Sequence, residues 1–109
     1  MNDSASVPTR LEKLEAMLLA DPQDQTLRYM LAMELKKTGD HARCIDCFRQ
    51  LMAEATPYVP AFLMCGQLQG ELGQIDAARQ TFRDGIQEAQ KQNNDHAAGE
   101  MSQFLQSLP

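Results

Sequence analysis

The chain of 109 residues contains no tryptophan, and aromatic residues make up only 6% of it. Its longest uninterrupted apolar run, Ala16–Ala20, has five residues, far fewer than the roughly 20 that a helix needs to cross a bilayer. Residues 1–6 have neither a basic start nor an apolar run, so we expect no secretory signal. These absences predict that the chain neither spans a membrane nor is exported.

Positive charge is also scarce, since 10 Lys and Arg residues face 15 Asp and Glu residues and leave a net charge of −5. Nucleic-acid binding would call for a basic stripe, and anionic membrane surfaces would repel such a chain. Three cysteines are an odd number, and without an export signal they are typical of reduced thiols. We therefore expect a cytoplasmic protein that binds neither nucleic acid nor membranes.

Two stretches of the chain, 39–49 and 73–83, carry the same pattern. A glycine, a phenylalanine and an arginine recur with a step of 34 in Gly39 and Gly73, Phe48 and Phe82, and Arg49 and Arg83. A fixed period of this length indicates a stacked array of helix pairs.

Apolar residues between the breaks recur at helical spacing, and Gly39, Gly73 and the segment 56–60 interrupt them. We predict an all-α fold of about six antiparallel helices. The prediction has a flexible N-terminus at 1–7 and a single domain at 8–108, composed of a leading helix at 8–20, a first repeat at 25–58, a second repeat at 59–92 and a terminal capping helix at 95–108.

The spaced motifs of the two repeats resemble the tetratricopeptide repeat family. The first unit reads Arg28-x2-Leu31-Ala32-x2-Leu35 and then Cys44-x3-Phe48-x2-Leu51. The second reads Phe62-x2-Cys65-Gly66-x2-Gln69 and then Ala78-x3-Phe82-x2-Gly85. The family motif is a 34-residue helix–turn–helix with small residues at the helix crossing and a large aromatic residue in the second helix. The resemblance implies a stacked α-α superhelix.

Eight residues define the repeats in this interpretation. The small ones allow two helices to approach closely, the glycines at the turns end the first helix of each pair, and the phenylalanines fill the seam between units. They are Ala32, Gly39, Cys44, Phe48, Gly66, Gly73, Ala78 and Phe82.

The same resemblance implies a binding surface, because the first helix of each unit lines a concave face that holds a peptide. The residues expected there are Tyr29, Met33, Lys36, Lys37, Leu63 and Gln67. Tyr29, Met33 and Leu63 would form an exposed apolar strip, which usually marks a partner site. The alternative is that the leading helix covers this strip and buries it. Some members of the family clamp a terminal carboxylate with Lys and Asn. This chain has Tyr29 and Met33 at such positions, so only Lys36 and Lys37 remain to attract an acidic ligand.

His41, Cys44 and Cys47 have a spacing that invites a zinc or redox hypothesis. A zinc site normally needs four ligands, and the chain has only one other cysteine. We interpret Cys44 as a small buried residue and expect no metal, no cofactor and no catalytic set.

The predicted function is therefore non-catalytic binding of an unknown protein or peptide. The alternative is homo-oligomerisation, for example as a homodimer, because the end helices of a short array must be capped or bury a partner. Leu19 and Phe104 are the apolar residues expected to remain exposed at the two ends.

Overall fold

A computed structural model describes residues 7–109 and contains six α-helices and no strand over that range. The helices are α1 (Arg10–Ala20), α2 (Gln25–Thr38), α3 (His41–Met52), α4 (Val59–Glu71), α5 (Ile75–Lys91) and α6 (Asp95–Ser107). The all-α prediction with six helices is confirmed. The prediction of a flexible N-terminus at 1–7 concerns residues that, except for Val7, lie outside the described part of the chain.

The first helix begins two residues later than the sequence pattern predicted. Thr9, and not Pro8, provides the boundary, because its side chain accepts a hydrogen bond from the Glu12 N–H at 3.1 Å. The Glu12 carboxylate accepts one from the Thr9 N–H at 3.0 Å in return, which completes a capping box. These hydrogen bonds lower the pKa of the exposed Glu12 carboxyl.

Local chemistry also determines where the other helices begin and end. The Leu27 N–H donates to Asp24 Oδ1 at 2.9 Å, and the Ala97 N–H donates to Asn94 Oδ1 at 3.1 Å. Gly39 and Gly73 adopt φ values of 88° and 80°, in the left-handed region that favours glycine. The two turns therefore reverse the chain without backbone strain.

The described chain divides into two compact units, one ending at Leu51 and the other running from Met52 to Pro109. In the first unit α1 packs on α2, and an ion pair joins Glu15 of α1 to Arg43 of α3 at 3.6 Å. Its interior is formed by fully or nearly fully buried side chains, namely Leu14, Ala32, Leu35, Cys44, Ile45, Phe48 and Leu51.

The second unit contains α4, α5 and α6, and α5 packs on both of the others. Its core cluster comprises Val59, Phe62, Ala78, Phe82, Ala89, Ala98 and Met101. Within this unit the buried Thr81 hydroxyl donates to Gln69 Oε1 at 2.6 Å, so neither polar group is buried without a partner.

Candidate functional site

A cleft of about 520 Å³ opens on the first unit, along the exposed side of α2. Four of the residues that the sequence predicted for binding line it together: Tyr29, Met33, Lys36 and Lys37. The other lining residues are Arg10, Met30 and Glu34. The leading helix does not fill the cleft, because α1 contributes only its first residue, Arg10, to the wall.

The apolar and basic residues of this cleft are separated along α2. Tyr29, Met30 and Met33 lie in the middle of the helix, and Lys36 and Lys37 lie in its last turn. Cations in the last turn interact favourably with the helix dipole. The cleft therefore has an apolar end and a basic end.

Charge in the cleft is opposite in sign to that of the whole chain. Glu34 is 8% exposed and is neutralised by Arg10, whose Nε lies 3.1 Å from its Oε1. Among the described residues, no ion pair engages Lys36 or Lys37. The three cations and one carboxylate that line the cleft leave it a net charge of +2, whereas the chain carries −5.

Tyr29 is held in place by the core of its own unit. Its ring is tilted by 49° against that of the buried Phe48, with 6.1 Å between centroids. Tyr29 is therefore half-buried and contributes one side of its ring to the cleft. Substituting it would perturb the packing as well as the cleft surface.

The two predicted binding residues of the second unit have different environments. Leu63 is partly buried and packs against the core cluster of that unit. Gln67 lines a separate cavity of about 450 Å³, together with Gly66, Gly70 and Phe104. That Leu63 and Gln67 take part in binding stays a prediction.

Sequence reasoning missed three members of the first-unit cleft. Arg10 precedes the periodic part of α1, and nothing in the spacing indicated that it would reach Glu34. Met30 lies next to the predicted Tyr29, but nothing in its spacing indicated that it would line the cleft. Glu34 lies beside the predicted Met33, but its burial follows from tertiary packing.

Six of the eight repeat-defining residues occupy tightly packed positions, whereas Gly39 and Gly73 lie in exposed turns. Ala32, Cys44, Phe48 and Ala78 have no exposed surface. A Cβ atom added at Gly66 would lie 2.5 Å from Cε1 of Phe82. Glycine at this position lets the Phe82 ring of α5 lie directly on the backbone of α4.

Comparison with known proteins agrees with this helix–turn–helix architecture. A family model described as the tetratricopeptide repeat matches residues 26–54. A TPR repeat-containing protein of Pseudomonas aeruginosa is 26% identical over 98 residues, which cover 90% of this chain and 93% of that protein. The solution NMR structure of a tetratricopeptide repeat domain protein from Salinibacter ruber superposes with a TM-score of 0.76. It has 27% identity and covers 81% of this chain and 89% of its own.

The chain is similar to tetratricopeptide repeat proteins in both sequence and fold. The resemblance inferred from its motifs is thereby confirmed. The tetratricopeptide repeat fold is generally a protein–protein interaction module, and proteins built from it are typically non-catalytic scaffolds.

Within residues 7–109, every helix is too short or too polar to span a bilayer. Over the same residues, no group of three or more His, Cys, Asp and Glu side chains is placed to hold a metal ion.

The three cysteines of the chain form no disulfide with one another. Cys44 and Cys65 are completely buried, whereas Cys47 is half-buried. Burial raises the pKa of the Cys47 thiol above its ordinary value of 9.0, and the nearby cations Arg43 and Arg28 offset this only in part. A thiol with a raised pKa is protonated at neutral pH, which is opposite to what a redox nucleophile requires.

We therefore expect slow alkylation of Cys47 by iodoacetamide in the native protein at neutral pH, with a rate that reaches half its maximum at a higher pH than in the unfolded chain. Because the folded-state pKa is raised, the stability contributed by this thiol is complete below its unfolded pKa. It is lost as the pH rises through the folded-state value. Peptide mapping by mass spectrometry measures the rate, and the urea-unfolded chain is the control. A half-maximal rate at the same pH as in the unfolded chain, or at a lower one, would contradict the assigned environment.

Proposed function

We propose that this chain binds an acidic segment of a protein partner in the first-unit cleft, without catalysing a reaction. The observation that carries the proposal is the grouping of Tyr29, Met33, Lys36 and Lys37 around one cleft that is apolar at one end and basic at the other. The similarity to tetratricopeptide repeat proteins supports a binding role. The expected cytoplasmic location stays a prediction.

The basic end supports recognition of carboxylates. Lys36 and Lys37 have no ion-pair partner among the described residues, so a ligand carboxylate would not need to break an existing pair. Lysine acts as a flexible point charge and does not impose the bidentate geometry of arginine. Its attraction for an acidic segment raises the association rate and weakens with added salt.

The apolar end supports recognition of a hydrophobic side chain beside those carboxylates. Methionine adapts to irregular shapes, and Met30 and Met33 together contribute two thioether side chains to this wall. The contact between Tyr29 and Phe48 holds the aromatic ring before a ligand arrives, so that less side-chain entropy is lost on binding. The preferred ligand therefore combines acidic residues with one or two apolar anchors.

We expect the double substitution Lys36→Glu and Lys37→Glu to weaken binding of such peptides by about tenfold or more, because each lost charge-assisted contact is worth roughly 1 kcal/mol. Binding peptides are first selected from a random library against the wild-type protein. Their affinities for both proteins are then measured by isothermal titration calorimetry at low and high salt.

A second double variant, Lys13→Glu with Lys91→Glu, is the matched control. It changes the net charge by the same amount at exposed positions that do not line the cleft. This control should lose much less affinity than the cleft variant. Equal losses in the two variants, or a selected set without acidic peptides, would show that the cleft does not recognise carboxylates.

The alternative function, self-association, is favoured by one observation in the first unit. Leu19 of α1 is 87% exposed, an unusual state for a large apolar side chain. The residues that share a face of α1 with Leu19 connect self-association with the proposed binding in the first-unit cleft.

A further inference from the structure

The outer side of α1 carries a stripe with the features of a ligand. Glu12, Glu15, Ala16 and Leu19 recur at i, i+3, i+4 and i+7, so they lie on one face of the helix. They border a surface depression of about 590 Å³ together with Leu18 and Leu31. We refer to Glu12, Glu15, Ala16 and Leu19 as the α1 stripe. Ala16 and Leu19 provide apolar contacts and Glu12 and Glu15 provide charge on this one face, as a helix that docks into the groove of a partner requires.

Charge and hydrophobicity along the α1 stripe are the reverse of those in the first-unit cleft. The stripe begins with two carboxylates and ends with Ala16 and Leu19, whereas the cleft begins with Tyr29 and ends with Lys36 and Lys37. No basic residue lines the depression beside the stripe. Glu15 lies 3.6 Å from Arg43 in an ion pair whose members are about half exposed, and a pair of this kind contributes little energy.

The two surfaces also match in length. Leu19 follows Glu12 by seven positions, and Lys37 follows Tyr29 by eight. At a rise of 1.5 Å per residue, the two surfaces extend ~10 Å and ~12 Å along their helix axes. If the two helices lie antiparallel, the carboxylates face the lysines and Leu19 faces Tyr29 and Met30. An antiparallel arrangement also places opposite ends of the two helix dipoles side by side.

From this complementarity we propose that the cleft of one copy of the chain binds the α1 stripe of a second copy. The inference rests on the proposed function, because it names the segment that occupies the same cleft. The contact joins two different surfaces, so each added copy still presents one free cleft and one free stripe, and the assembly extends or closes into a ring. One helix in a groove buries a small area, so the association is weak and reversible, with a dissociation constant in the micromolar range.

Two variants that each disable one surface test the proposal. Leu19→Lys places a cation on the stripe and leaves the cleft intact, whereas Lys36→Glu with Lys37→Glu reverses the basic end and leaves the stripe intact. In sedimentation velocity at high micromolar concentration, the wild type should form oligomers that dissociate at high salt. Each variant alone should be a monomer. An equimolar mixture should form a one-to-one dimer, because one intact cleft and one intact stripe remain.

Met17→Lys is the matched control, since Met17 is an exposed apolar residue of α1 that lies off the stripe. It should oligomerise as the wild type does. Circular dichroism melting of every variant establishes that the helices are intact. A monomeric wild type at high micromolar concentration, or a mixture of the two variants that stays monomeric, would overturn the proposal.

Peptide binding by the Leu19→Lys variant separates the two proposals. This variant keeps the whole cleft, so it should bind the library-selected acidic peptides at least as tightly as the wild type. Tight peptide binding together with a monomeric wild type would overturn self-docking and leave the proposed function standing. Absence of peptide binding to Leu19→Lys would contradict the proposed function itself.

Discussion

Phe82→Ala should lower the free energy of unfolding of the second unit by about 3–5 kcal/mol, the usual cost of removing a buried phenylalanine ring. Phe82 is 1% exposed, and its ring lies against Gly66 of α4. It also stacks on Phe104 of α6, with 5.9 Å between centroids and 14° between planes. One side chain thus contacts both helices that pack on α5, and its loss leaves a cavity between them. Urea denaturation followed by circular dichroism measures the change.

Phe104→Ala is the matched control, because Phe104 is 38% exposed and its removal opens the stack to solvent without creating a cavity. It should cost much less than Phe82→Ala. A double-mutant cycle with Gly66 tests the contact itself. Gly66→Ala should be destabilising in the wild type and nearly neutral in the Phe82→Ala background, where the ring that meets the new methyl is absent. Additive effects would show that the ring does not lie on Gly66.

Gly85→Ala is the second large effect, with an expected loss of about 1–3 kcal/mol from overpacking. A Cβ atom at Gly85 would lie 2.5 Å from Sδ of Met101 and 2.5 Å from Cβ of Phe62. The methionine sulfur can move by changing rotamer, but the Phe62 Cβ moves only with the backbone of α4. The substitution therefore separates α4 from α5, although alanine by itself favours the helical state. The change in melting temperature and in urea midpoint reports the effect.

Gly99→Ala, at another helical glycine of the second unit, should stabilise the protein where Gly85→Ala destabilises it. Nothing lies within 4 Å of a Cβ atom built at Gly99. Alanine there should stabilise the protein by about 0.5–1 kcal/mol, because glycine loses more backbone entropy in a helix. If Gly85→Ala stabilised the protein as Gly99→Ala is expected to, the close packing of α4, α5 and α6 would be wrong.

Much of the local structure could be predicted because its causes lie close together in the chain. Asp24 and Asn94 cap helices through backbone groups three residues away. Gly39 and Gly73 end the preceding helix segments because they tolerate positive φ. The predicted start of the first helix at residue 8 was two residues early, because the Thr9–Glu12 capping box determines where the helix begins.

The candidate site was predictable only along a single helix. Tyr29, Met33, Lys36 and Lys37 share one face of α2, and helical periodicity is sufficient to group them. Arg10 joins them through its contact with Glu34, 24 positions further along the chain, and no local rule specifies that contact. Leu63 has the same kind of side chain as an exposed binding residue, yet it packs against the core of the second unit.

The sequence by itself therefore determined the six helices, most of their ends and the resemblance to the repeat family, because hydrogen bonds and side-chain periodicity act over three or four residues. Only the tertiary structure decided which side chains face solvent, which residues line the cleft and which charges in it are paired. The physical reason is that burial and ion pairing depend on residues that are distant in the chain. The surface left uncovered on α2 and on α1 is what remains after those long-range contacts have formed.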